Sequence, residues 1–98
     1  MRKSFPLHAT GKADARVLDA IKHEVRKYVK RERRKLLPEG FLEWSFACKV
    51  GASPAQAESV ALKELSPAID RVAQAASHEV YIEIVATPST TRAAGGPS

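Results

Sequence analysis

The stretch from Asp14 to Leu36 constrains this chain more than any other. Val17, Leu18, Ile21, Val25, Tyr28, Val29 and Leu36 recur at three- and four-residue steps, the period of an amphipathic helix. No Gly or Pro interrupts the stretch, and Pro38 closes it. At 1.5 Å per residue the expected helix is about 34 Å long. A helix with one apolar stripe needs another element to cover it. The rest of a 98-residue chain must therefore supply an apolar face of matching size.

Two segments do so by alternation. In Leu42 to Val50, Leu42, Trp44, Phe46, Cys48 and Val50 point one way, and Glu43, Ser45, Ala47 and Lys49 the other. Glu79 to Ala86 places Val80, Ile82 and Ile84 inward and Glu79, Tyr81, Glu83 and Val85 outward. Both read as half-buried strands. Lys3 to Leu7 is a third, short strand with Phe5 and Leu7 on one face; Pro6 has no N–H to give a ladder. Gly11 marks its exit turn. A six-residue strand covers only about 20 Å, so the long helix is expected to overhang the sheet.

Ser53 to Ser77 reads in two ways. Ser66-Pro67 looks like an N-cap and first-turn pair opening a helix through Ile69, Val72, Ala73 and Ala76. Before it, Glu58 to Lys63 fits a strand with Val60 and Leu62 inward. Ser53-Pro54 with Gln56, and the Ala content, also fit a capped helix start. The strand is favoured, and residues 54–65 stay open between the two. With the strand, the fold class is α+β with the ferredoxin-like order β-α-β-β-α-β. Two helices cover one face of a four-stranded antiparallel sheet. The open face is then Ser4, His8, Glu43, Ser45, Lys49, Lys63, Glu79, Tyr81 and Glu83. Lys49, Glu79 and Glu83 are expected on outer strands, where charge discourages edge pairing.

Residues 1–87 read as one domain. The stretch 88–98 holds Pro, Ser, Thr, Ala and Gly plus one Arg, too little apolar surface to offset its ordering entropy, and is expected to be a disordered tail. Met1-Arg2-Lys3-Ser4 is not followed by the apolar run of an export signal, so the expected location is cytoplasmic. There the single cysteine, Cys48, stays reduced. One cysteine forms neither an internal disulfide nor a multi-cysteine zinc site.

Charge is the second strong feature. The chain carries a net charge of +5. Residues 22–35 hold eight Lys or Arg against two Glu, a net of +6, and all other residues together amount to −1. Lys22, Arg26, Lys27, Lys30, Arg31, Arg33 and Arg34 fan across the half of the helix opposite its apolar stripe. A basic last turn suits the helix dipole, and a charge run is most often a solvated face. Against that plain reading, Lys22/Arg26, Arg26/Lys30, Lys27/Arg31, Lys30/Arg34 and Arg31/Lys35 are like-charge pairs four apart. Each costs roughly 0.2–0.5 kcal/mol. A self-repelling face suggests a polyanionic partner. The seven residues named are therefore expected to contact nucleic acid, RNA favoured. The alternative is a docking face for an acidic protein. Glu32 lies on the apolar stripe by helical angle: either the helix has passed the sheet edge and leaves it exposed, or it is buried beside a neighbouring Arg. A membrane-surface use of the stripe competes with its use in covering the sheet.

The run from Lys22 to Lys35 with Leu37-Pro38-Glu39-Gly40, the Trp44-x-Phe46-x-Cys48-Lys49 segment and the strand closing before Pro88 are similar to a family of short basic bacterial proteins known only as a domain of unknown function. The resemblance spans about residues 2–88. It implies a bacterial cytoplasmic protein and brings no activity, cofactor or site residue.

Signals for catalysis are weak. His8, His23 and His78 lack metal-ligand spacing, and Gly11, Gly40, Gly51, Gly95 and Gly96 form no phosphate-binding loop. No nucleophile–base pair is readable. The chain has no Asn, so it lacks the Asn-beside-Arg site of acylphosphatase-like proteins of similar outline. RNA-recognition sheets stack bases on aromatics; here the open face offers Tyr81 among Glu43, Glu79 and Glu83. The expectation is a non-catalytic binding module without cofactor, metal or membrane-spanning segment.

Overall fold

A computed structural model of the protein describes residues 1–7, 14–75 and 78–90. Its elements follow the order strand β1 (Arg2–Pro6), helix α1 (Asp14–Arg33), strand β2 (Glu43–Gly51), strand β3 (Glu58–Val60), helix α2 (Leu65–Gln74) and strand β4 (Glu79–Ser89). Single 3-10 turns at Pro54–Gln56 and Leu62–Glu64 flank β3. The protein is thus α+β, with the β-α-β-β-α-β order along the chain; the ferredoxin-like expectation is met in that order but not fully in the arrangement of strands within the sheet.

In space the strands lie in the order β1-β4-β2-β3, each antiparallel to its neighbours. The strands joined through α1, β1 and β2, are therefore separated by β4. Those joined through α2, β3 and β4, are separated by β2. The outer strands are β1 and β3. Lys49, Glu79 and Glu83, expected on outer strands, sit instead on the two inner ones. The cause is composition. In β4, Val80-Tyr81-Ile82 and Ile84-Val85 supply apolar groups to both faces of an eleven-residue strand, as a doubly flanked strand requires. β1 ends on Pro6, whose missing N–H is harmless at the edge of a sheet. β3 has three residues and makes a blunt edge.

Register sorts the faces. Phe5 lies opposite Val80, Val50 opposite Ile82, and Cys48 between Ile84 and Val60. These side chains join Ile21, Val25 and Val29 of α1 and Leu65, Ala68 and Ile69 of α2 in one core, so both helices cover the same face. Ile69, Val80, Ile82 and Ile84 are its fully buried centre.

The helix α1 stops at Arg33, short of the expected Leu36. Its last turn tightens: the N–H of Arg34 donates to Arg31 at 3.2 Å and that of Lys35 to Glu32 at 3.2 Å, the i→i+3 pattern of a closing 3-10 turn. The Trp44 indole N–H then donates to the Lys35 carbonyl at 3.0 Å. Leu36, expected in the apolar stripe, is consequently 94% exposed. The expected overhang also disappears. Twenty residues of helix give about 30 Å, and nine residues of β2 give about the same. The sheet continues under the end of α1 because β4 runs on to Ser89, opposite Glu43, two residues past the expected domain limit. Glu32 is accordingly covered, its side chain 12% exposed, and it pairs with Lys35 at 2.8 Å. Its partner is this Lys rather than an Arg.

The segment that read both ways is mixed. Glu58–Val60 is strand, while Leu62 and Lys63 lie in a 3-10 turn that passes directly into α2 at Leu65. Pro54 opens the other 3-10 turn as its first residue. Ser66 does not cap α2. Pro67 occupies the third helical position, where its missing N–H removes no intrahelical bond. The turn after β2 folds back tightly: a Cβ on Gly51 would stand 2.6 Å from the Ala57 Cα and the Gln56 carbonyl oxygen. Gly51→Ala is therefore expected to cost about 1–3 kcal/mol by overpacking against backbone, read as a lower urea midpoint with an unchanged slope. Residues 8–13, 76–77 and 91–98, including His8, Gly11, Ala76 and most of the expected tail, lie outside the described residues.

Candidate functional site

Six of the seven expected contact residues lie on α1, which the buried row Ile21, Val25 and Val29 holds against the sheet, and the seventh, Arg34, lies in the turn that closes it. At 100° per residue, Lys22, Arg26, Lys30 and Arg33 form a row along one flank of the helix. That flank and Arg34 overlook a cleft of about 510 Å³ between α1 and α2. Val25, Val29, Leu62, Leu65 and Ile69 form its aliphatic floor, and Lys63 and Ser66 stand on the opposite wall. Lys27 and Arg31 are exposed on the outer side of the helix.

The cations are not equivalent. Lys22 is mostly covered and its Nζ lies 2.8 Å from Asp70 Oδ1 of α2, so it ties the two helices together. The Arg31 guanidinium stands 5.6 Å from the centre of the Tyr28 ring, and that of Arg33 stands 5.5 Å from Phe46, distances at which an aromatic face attracts a cation. Both arginines stay exposed. Glu24 faces Lys3 at 3.7 Å, and Glu32 takes Lys35. Arg26, Lys27, Lys30 and Arg34 are exposed and enter no ion pair among the described residues. Arg26/Lys30 and Lys30/Arg34 retain their mutual repulsion.

Sequence reasoning placed Lys63 on the open sheet face; it belongs to the cleft. The alternation of Val60 and Leu62 suggested a longer strand, and a single 3-10 turn leaves no periodic trace.

The opposite face of the sheet carries Ser4, Glu43, Ser45, Lys49, Glu79, Tyr81 and Glu83, by register and exposure. Glu83 lies between Arg2 and Lys49 on the neighbouring strands. The Tyr81 hydroxyl donates to Glu83 Oε1 at 2.9 Å, and Arg2 Nε approaches the same oxygen at 3.3 Å. The Tyr81 hydrogen bond, with help from the two cations, holds the Glu83 carboxyl below its usual range. The same hydrogen bond pushes the Tyr81 phenol up. A depressed carboxylate contributes stability above its unfolded range and loses it as pH falls through the folded value. Tyr81→Phe is expected to move the Glu83 midpoint upward, followed by the side-chain carboxyl carbon shift in an NMR titration.

Cys48 is buried on the helix side with its Sγ 3.9 Å from the Phe46 carbonyl oxygen, and burial pushes the thiol up. It is a packed, protonated group near neutral pH. Among the described residues no three His, Cys, Asp or Glu side chains gather as a metal would need, and no helix is long and apolar enough to cross a membrane.

No curated protein and no solved structure matches the chain. A family of unknown function does match, over residues 1–94. That span includes both helices, all four strands and the cleft between the helices, and the chain belongs to this family, DUF6172.

Proposed function

We propose that the protein is a non-catalytic binding module of the bacterial cytoplasm that holds nucleic acid, RNA by preference, on the cationic side of α1. The observation that carries this reading is the set Arg26, Lys27, Lys30 and Arg34: exposed, close together and without an acidic partner among the described residues. A face that keeps its own repulsion gains most from a polyanion. From Lys22 to Arg33 the helix advances about 17 Å, a reach of several phosphates. A single strand can bend to follow the cleft and bring phosphates to Lys63 as well, whereas the phosphate rows of a duplex curve away from a straight helix. Single-stranded RNA is thus the favoured form. Glu79 and Glu83 repel phosphate from the open sheet face.

The aliphatic cleft floor supports a second reading. An acidic amphipathic segment of a protein partner would place its apolar side on Leu62 and its carboxylates on the rim. An NMR titration with short RNA and DNA at two salt concentrations tests the choice. Nucleic-acid binding is expected to shift Lys22–Arg34 and Lys63, with log K falling against log salt by about 0.7 per single-strand phosphate contact. No binding to any nucleic acid at low salt would leave the acidic partner as the better reading.

A further inference from the structure

Three large hydrophobic side chains are exposed among the described residues, and all three lie in the connection between α1 and β2: Leu36 at 94%, Leu42 at 52% and Phe41 at 38%. The connection has a defined shape. The Phe41 N–H donates to the Pro38 carbonyl at 3.2 Å, and Gly40 has φ of 89°, as the third position of a type II turn requires. Leu37, Leu42, Trp44 and Phe46 border one recess at this end of the molecule. Arg31, Arg33, Arg34 and Lys35 immediately precede the loop. Lys35 is paired with Glu32, and Glu39 at the turn is the one exposed carboxylate in the loop.

We propose that this end of the molecule docks on an anionic lipid surface. Leu36, Phe41 and Leu42 enter the boundary between headgroups and acyl chains, and Arg31, Arg33 and Arg34 meet the headgroup phosphates. The pairing of chemistries selects this occupant. Exposed aliphatic and aromatic groups gain from the acyl boundary, and neighbouring cations gain from anionic headgroups. Nucleic acid offers Leu36 and Leu42 no aliphatic surface. A second copy docked by the same end would set this arginine cluster against its own image. The α1 stripe takes no part, since it covers the sheet. The inference does not depend on nucleic-acid binding, because its apolar half lies outside the cleft.

The test uses the full chain and two vesicle preparations, phosphatidylcholine alone and an equal mixture with phosphatidylglycerol. Trp44 is the single tryptophan and borders the recess, so its emission reports on the loop. The expected result is co-sedimentation with the anionic vesicles only, accompanied by a blue shift of Trp44 emission. Leu36→Ser with Phe41→Ser, which leaves the charge unchanged, is expected to weaken that binding at least about tenfold, with an unchanged melting curve and unchanged RNA shifts. Leu36→Gln with Phe41→Gln gives a second charge-neutral replacement should the serines disturb folding. Arg31→Gln with Arg34→Gln is expected to weaken it by about fivefold per charge. The proposal is overturned if the protein does not sediment with anionic vesicles at low salt. It is equally overturned if the apolar substitutions leave binding unchanged, which is adsorption by charge alone. Self-association without lipid that these substitutions abolish would assign the loop to a second copy instead.

Discussion

Replacing Arg26, Lys27, Lys30 and Arg34 together by Gln is expected to weaken binding to a short single-stranded RNA by about 10²–10³-fold near 0.1 M salt. Each phosphate contact on a single strand contributes about 0.7 to the slope of log K against log salt, so losing four should flatten the slope by about 3. The same substitution should leave the domain at least as stable. None of the four side chains pairs with an acid among the described residues, and the changes remove the like-charge pairs Lys22/Arg26, Arg26/Lys30, Lys27/Arg31 and Lys30/Arg34. At roughly 0.2–0.5 kcal/mol each, the gain is about 1–2 kcal/mol before small propensity differences. Binding that falls while stability rises is the signature of a face kept for a partner. Equal losses of both would mark the four as structural. Lys22→Gln should behave differently, because it strands Asp70 and loosens the link between the helices.

Ile69→Ala is expected to remove about 3–5 kcal/mol. Ile69 is fully buried and belongs to a helix of only ten residues. Isolated helices shorter than about 12–15 residues are marginal in water, so α2 depends on docking through Leu65, Ala68 and Ile69. Removing the one fully buried side chain of α2 leaves a cavity beneath the helix and opens the floor of the cleft. Domains of this kind hold roughly 5–15 kcal/mol in total, so the loss is a large share of the whole. A urea titration should show a much lower midpoint. Ile69→Val, which keeps most of the volume, should cost only about 0.5–1.5 kcal/mol.

Much of the architecture was legible without coordinates. The alternation in Leu42–Val50 and Glu79–Ala86 named the inward residues Phe46, Cys48, Val50, Val80, Ile82 and Ile84, because strand side chains have period two and only one face can be dry; Leu42, also expected inward, is exposed because the strand begins only at Glu43. The step pattern of Ile21, Val25 and Val29 named the buried row of α1 for the same kind of reason. The cationic side of α1 followed directly, since it is what remains of the helix once that row is inside. Less legible were features that arise where elements meet. Lys63 joins the cleft because a 3-10 turn redirects the chain after Val60, and one turn carries no periodicity. Leu36 continues the helical step pattern, yet the indole of Trp44 takes the Lys35 carbonyl and the helix has already ended.

The amino-acid sequence by itself determined the α+β class, the two buried faces and the concentration of positive charge on one helix, because each depends on spacing along a single element. Tertiary structure alone decided the strand order, with β4 and β2 inside. It also decided which cations are taken by Asp70 and Glu32 and which stay unpaired. The same holds for the cluster of Leu36, Phe41 and Leu42 on the surface beside the arginines. Strand order and the Lys22–Asp70 pair are set by contacts between residues far apart in the chain, while the Glu32–Lys35 pair and the exposed loop are local outcomes that depend on where the helix ends and what covers it, of which spacing carries no record.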